Sequence, residues 1–294
     1  MNGLGKICYT AAMLTVMQAI ILGLIQGFTE LFPISSLGHS VIIPSLLGWN
    51  IHQGDGAFLT FLVATHLATA TVLFLFFWKD WVLIGRGLLR SLSARKIDSS
   101  DTYAKIGWLL VVGTVPAGIL GLLLEQSIRS LLASAQIAAF FLIINGFILL
   151  TAEKLRKNHD KKQNDKNIAK LTWWRAIGVG SAQAGALIPG ISRSGSSMAG
   201  GLLVGLNNED AARFSFLLAT PIIGAAALLK LPQLFSSTYN AMRPAILIGS
   251  LCAAAGAYLS VRFLVKFFKT NTLKPFAYYC LIAGSVASLY FFVR

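Results

Sequence analysis

Residues 14–49 read LTVMQAIILGLIQGFTELFPISSLGHSVIIPSLLGW. The stretch is apolar enough for a bilayer, yet Pro33-Ile34-Ser35-Ser36-Leu37-Gly38-His39 interrupts its middle. Each half falls short of the roughly 20 residues that a spanning helix requires. Backbone that leaves helical geometry at membrane depth survives only where protein or water satisfies its polar groups. The stretch therefore reads as a re-entrant helical hairpin. A second stretch, 173–206, has the same character and is broken at Pro189-Gly190-Ile191-Ser192-Arg193-Ser194-Gly195-Ser196-Ser197. Six other stretches, near 58–78, 107–124, 135–153, 212–235, 243–265 and 275–293, are long and apolar enough to cross. The expected fold is an all-α polytopic membrane protein, one integral membrane domain over 1–294. It has six transmembrane helices plus two re-entrant helical hairpins.

Composition agrees. Of 294 residues, 55% are hydrophobic and 12% charged, with mean hydropathy +0.69. A soluble domain carries about 25% charged residues, so this chain lacks the charge to coat a soluble surface. Its apolar content also excludes disorder. The formal net charge is nevertheless +14. Nucleic-acid binding accounts for a basic excess but not for scarce charge, so no nucleic-acid partner is expected. Cys8, Cys252 and Cys280 are odd in number and lack CxxC spacing, which points to neither a disulfide framework nor a zinc site. Lys6 precedes a long apolar stretch with no small-residue cleavage site, so a cleavable signal is not expected.

The basic residues set the topology. Segments 79–105, 154–175 and 262–274 hold 18 of the 25 Lys and Arg residues. The opposite connections hold four: Lys6, Arg129, Arg243 and Arg294. Positive residues collect on the cytoplasmic side. All three rich segments fall inside if each broken hairpin enters and leaves on one face. Three crossings then separate the hairpins, so they enter from opposite faces. The chain reads as inverted repeats, about 14–153 and 173–293, joined by a basic cytoplasmic loop, 154–172. Self-similarity supports a duplication. At an offset of 157, Ser35 falls on Ser192, Ser36 on Arg193, Gly38 on Gly195 and Ser40 on Ser197; TFLVAT (60–65) matches SFLLAT (215–220) at an offset of 155. Inverted repeats with interrupted helices place binding sites at the repeat interface.

Of eleven acidic residues, Glu30 is the one read within an apolar run; Glu125 and Glu153 are read at helix ends. An ionisable group at membrane depth is costly and marks a site. Gln26, four residues earlier, shares its helical face, and that face leads to Ser35, Ser36 and His39. The second break supplies Arg193 between Ser192 and Ser194. A guanidinium flanked by hydroxyls, at the start of a helix, suits phosphate oxygens. His66 lies on the first full span, where helix packing and a site role weigh about equally. The 154–170 run reads as a solvated loop able to touch anionic membrane lipids, and Trp173-Trp174 as an interfacial anchor.

QGFTELFPISSLGH (26–39) resembles the first signature of the bacterial undecaprenyl-diphosphatase family, the bacitracin-resistance type, whose pattern is E/Q-x-x-x-E and then P-x-S-S-x-G-H. PGISRSGSS (189–197) resembles its second signature, P-G-x-S-R-S-x-x-T. FSFLLATP (214–221) and KPFAYY (274–279) also look like family blocks. The resemblance covers essentially the whole chain. It implies a membrane hydrolase of the bacterial inner membrane that converts undecaprenyl diphosphate to the monophosphate. That recycles the lipid carrier for peptidoglycan and underlies bacitracin resistance. It further implies a divalent cation cofactor, magnesium or calcium, and often a homodimer. Carried over, Glu30, Ser36, His39 and Arg193 are the catalytic set. Gln26, Ser35, Ser192, Ser194 and Ser197 bind substrate, and Glu30 is a metal ligand. Gln26 is the neutral option at the first acidic position, which weakens a two-carboxylate metal site. Ser197 replaces the usual Thr and keeps the hydroxyl.

The expected chemistry has Ser36 attacking the terminal phosphorus with Glu30 or His39 as base. Direct water attack and His39 as nucleophile fit the residues equally well. A polyprenyl-phosphate transporter or flippase is the alternative reading, since inverted repeats with broken helices are transporter architecture. The first hairpin, entering from outside, suggests outward access to the site.

Overall fold

The structure is a computed structural model. It describes residues 14–51, 55–124, 134–160, 167–234 and 236–293. Lys6, Cys8, His52, Glu125, Arg129, Lys161, Lys162, Lys166 and Arg294 lie outside them, as does the middle of the 154–172 loop.

Eleven α-helices make up the described fold. The first break separates α1 (Val16–Leu31) from α2 (Ser36–Leu46). Thr15 and Gln18 form a capping box at the start of α1. The helix stops at Phe32, which Pro33 holds in extended backbone. At about 1.5 Å per residue, neither helix covers a 30 Å hydrocarbon core. Then come α3 (Gly56–Phe76), α4 (Trp78–Ser93), α5 (Thr102–Leu123) and α6 (Ala135–Asp160). The second break separates α7 (Trp173–Ala184) from α8 (Arg193–Leu203). The chain ends with α9 (Asn208–Leu234), α10 (Arg243–Phe267) and α11 (Lys274–Val293). Among the described residues, six helices are long and apolar enough to cross a membrane, and they coincide with the six expected spans.

Two readings change. The 79–105 connection contains a helix, α4, that an apolar-run search passes over because its charges lower the mean. Glu153 is not at a helix end. It lies inside α6, 1% exposed, and accepts from Asn208 Nδ2 at 2.7 Å and from the Leu273 backbone N–H at 2.6 Å. Those bonds tie α6 to the start of α9 and to the α10–α11 turn. The buried carboxyl group is held by polar partners, as an interior polar group must be.

Packing is reciprocal between the halves. Helix α1 lies along α10, and α7 lies along α5. Glycines permit both close approaches. A Cβ on Gly23 would run into the Gly249 backbone, and one on Gly180 would run into the Gly113 backbone. Gly23 and Gly180 are 157 positions apart, the offset that relates the two breaks. Helix α3 packs on α9, and α6 on α11, across the same division. The main apolar core runs through both halves, from Leu31 and Val41 to Phe214, Leu264 and Cys280.

Candidate active site

The two breaks meet back to back at the centre. A Cβ on Gly38 would come within 3.0 Å of the Gly190 Cα. Gly190 has φ 98°, and a Cβ there would overlap the backbone of α6 at Ala138. This position therefore requires glycine for both conformation and space. Asn145 of α6 holds the breaks together. Its Nδ2 donates to the Pro33 carbonyl at 2.9 Å, and its Oδ1 accepts from the Ser192 N–H at 3.0 Å.

Each break restarts a helix in the same way. Ser35 Oγ accepts from the Gly38 N–H at 3.2 Å, and Ser192 Oγ accepts from the Gly195 N–H at 3.0 Å. Both are N-caps, which satisfy an otherwise orphaned donor. Ser35 adopts φ 71°, a conformation costly for a residue with a Cβ. Its surroundings hold it there, because its carbonyl accepts from His39 Nδ1 at 2.7 Å.

Glu30 is the hub. It is 7% exposed. Its Oε1 pairs with Arg193 from the opposite break. Its Oε2 accepts from Ser36 Oγ at 2.5 Å and from Gln26 Nε2 at 2.9 Å. Nε2 of His66 stands 3.2 Å from the same oxygen. One carboxylate thus gathers the hydroxyl of the first break, the guanidinium of the second and an imidazole from α3. The second half has no matching acid, because Leu187 occupies the position 157 after Glu30. The halves contribute complementary groups.

The remaining expected residues lie around this hub in different ways. Ser194 Oγ donates to the Phe32 carbonyl at 3.1 Å and lies 3.0 Å from Ser192 Oγ. Ser197 bonds the Arg193 carbonyl at 2.9 Å and Ser215 Oγ at 2.6 Å. His39 does not bond Ser36. Its Nδ1 faces a carbonyl, which only accepts, so that nitrogen carries the proton. Its Nε2 then accepts from the Tyr279 hydroxyl at 2.8 Å.

The chain as a whole has counterparts among known proteins. The model of the family described as bacitracin resistance protein BacA matches residues 19–286. The chain belongs to the BacA family. Among its relatives, the undecaprenyl-diphosphatase of Mycolicibacterium paratuberculosis is 43% identical, covering 96% of this chain and 99% of that protein. That of Granulibacter bethesdensis is 43% identical over 92% and 95% of the two chains. That of Gluconacetobacter diazotrophicus is 44% identical over 93% and 96%. With six membrane-crossing helices, this BacA-family chain is a multi-pass membrane protein.

Asn145, Tyr279 and, in part, His66 escape a reading of the two broken stretches. Each sits on an uninterrupted span. Asn145 was open to detection as a lone amide within an apolar run. Tyr279 was marked only as the last residue of the KPFAYY block, with no role attached, since tyrosine is common near helix ends in membranes.

Proposed function

We propose that this protein is an integral-membrane phosphatase that hydrolyses undecaprenyl diphosphate to undecaprenyl phosphate and inorganic phosphate. The reaction returns the lipid carrier to peptidoglycan synthesis and opposes bacitracin. The observation that carries the reading is Glu30, held between Ser36 of one break and Arg193 of the other. The relatives' names give the substrate.

In the reading favoured here, the diphosphate binds at the meeting of the breaks and takes up Arg193. The guanidinium fork matches two phosphate oxygens. The amino end of α8 adds donors, and the Ser192 and Ser194 hydroxyls join them by exchanging their bonds to each other and to the Phe32 carbonyl for phosphate oxygens. Because phosphate competes with Glu30 for Arg193, binding frees the carboxylate to accept the Ser36 proton. Ser36 Oγ then attacks the terminal phosphorus, and the anhydride bond breaks with undecaprenyl phosphate as leaving group. Water hydrolyses the phosphoserine and releases phosphate. Glu30 is favoured over His39 as base because Ser36 already bonds it, while both His39 nitrogens are engaged elsewhere.

The family resemblance implies a divalent cation. Among the described residues, no three of His, Cys, Asp and Glu converge on one point. Gln26 offers an oxygen, however: its Nε2 faces Glu30 at 2.9 Å, its Oε1 is buried without a hydrogen-bond partner, and a turn of the amide exchanges the two. A magnesium ion needs few protein oxygens when a diphosphate supplies others, so Gln26 and Glu30 fit as its protein ligands. When bound, the ion would neutralise charge on the phosphates.

We extend the proposal to the membrane arrangement. The two hairpins are re-entrant, the halves are inverted repeats, and the site opens to the outer face of the inner membrane. The charge distribution and the reciprocal packing support this. The family resemblance further implies a homodimer, which cross-linking in membranes tests. Phosphate release by purified protein in detergent tests the function itself. A transporter needs no bond cleavage, so an intact diphosphate after incubation with folded protein overturns the phosphatase reading.

A further inference from the structure

We propose that α4 is an in-plane membrane helix whose outer face binds anionic phospholipid headgroups. The helix has three faces. At about 100° per residue, Ile84, Gly87 and Ser91 fall on one side, and all three are buried. Trp78, Leu89 and Leu92 fall on the next side, and they are 52%, 68% and 58% exposed. Lys79, Arg86 and Arg90 fall beside them, also exposed. An apolar stripe flanked by a basic stripe, with a third face fixed to the protein, is the pattern of an interfacial helix.

Contacts with α5 fix the level at which α4 lies. A Cβ on Gly87 would overlap the backbone at Ala104, and Trp108 Nε1 donates to Ser91 Oγ at 2.9 Å. Arg90 pairs with Asp101 at 2.8 Å, just before α5 begins. In the same region, Lys105 Nζ stands 3.8 Å above the Trp173 ring. Aromatic and basic residues of this kind mark the headgroup layer of a membrane. Helix α4 is therefore pinned beside the first turns of a spanning helix, at headgroup depth. Its apolar stripe can enter the acyl boundary there while long cations reach the phosphates.

The charges specify the lipid. Lys79 and Arg86 have no carboxylate partner among the described residues. Two uncommitted cations beside an apolar stripe favour an anionic headgroup over a zwitterionic one. Basic residues at a membrane surface gain roughly fivefold in binding each from anionic lipid. The preference weakens with salt, as surface charge pairs do. This surface is separate from the Glu30–Arg193 site and has no part in its chemistry.

The test compares otherwise wild-type protein with the Lys79→Gln/Arg86→Gln double variant. Each is purified in detergent, offered equal phosphatidylglycerol and phosphatidylcholine, and read by native mass spectrometry. Hydrolysis in detergent checks that both are folded. The proposal expects wild type to retain an excess of phosphatidylglycerol that the double variant loses and that Lys79→Arg/Arg86→Lys restores. Equal retention of both lipids by wild type overturns it, as does an unchanged excess in the double variant. A polarity-sensitive dye on Leu89→Cys, in a background without the native cysteines and reconstituted in phosphatidylglycerol nanodiscs, tests the apolar face. Blue-shifted emission quenched by spin-labelled lipid supports an in-plane helix. Water-like, unquenched emission contradicts it.

Discussion

Nε2 of His39 lies 2.8 Å from the hydroxyl of Tyr279, 240 residues away in sequence, with the two rings stacked 5.7 Å apart. Helix α11 thereby fixes His39, whose Nδ1 holds the Ser35 carbonyl immediately before Ser36. Replacing Tyr279 with Phe keeps the stacked ring and deletes one bond. A hydrogen bond of this kind contributes about 1 kcal/mol. Tyr279→Phe should lower kcat by about fivefold with little change in KM, as expected when positioning rather than binding is lost. A purely structural tyrosine would instead lower thermal stability and leave kcat of the folded fraction unchanged.

The Glu30–Arg193 pair predicts an asymmetry between stability and activity. Removing one partner of a buried ion pair leaves an uncompensated charge and costs about 3–5 kcal/mol. Glu30→Gln and Arg193→Gln should each destabilise the protein in detergent and abolish hydrolysis. The double variant should recover much of the thermal stability and none of the activity. Recovery of turnover in the double variant would show that the pair has only a structural role.

Asn145 joins both breaks through its amide. Asn145→Leu leaves the Pro33 carbonyl and the Ser192 N–H without their partner, and each buried unsatisfied group costs about 1–3 kcal/mol. The expected result is a lower unfolding temperature together with reduced kcat/KM, because the carboxylate and guanidinium are no longer held in register. Asn145→Asp keeps the acceptor for Ser192 but loses the donor to Pro33, so an intermediate loss is expected.

Gln26 governs the cation proposal. Chelation with EDTA should stop hydrolysis, and magnesium or calcium should restore it. Gln26→Glu places a second carboxylate beside Glu30, so half-maximal activity should need less cation. Gln26→Leu removes the orphaned carbonyl oxygen and should need more. Identical cation titrations for all three proteins would remove Gln26 from the ligand set.

Much of this arrangement was legible in the sequence. Scarce acids left Glu30 conspicuous in an apolar run, and a proline with clustered serines marked each point where a helix had to stop. The offset between the breaks placed Ser35 on Ser192, and in the structure both cap their helices in the same way. The parts that escaped depend on tertiary contact. Helix α4 is hidden from a search for apolar runs because its third face is basic. Glu153 looked terminal because the lysines after it hid how far α6 continues. Asn145 and Tyr279 act across elements 47 to 240 residues apart, and nothing local records such partners. His66 was visible but undecided, since its distance from Glu30 depends on how α3 packs.

The central claim is that Ser36, deprotonated by Glu30, attacks the phosphate held by Arg193. Its most direct test is mass spectrometry of purified protein quenched in acid during turnover of undecaprenyl diphosphate. Phosphoserine survives acid, whereas phosphohistidine does not. The account predicts a phosphoryl group on Ser36 and no phosphate release by Ser36→Ala. Wild-type phosphate release by Ser36→Ala, with no adduct on Ser36 in the parent protein, would contradict it.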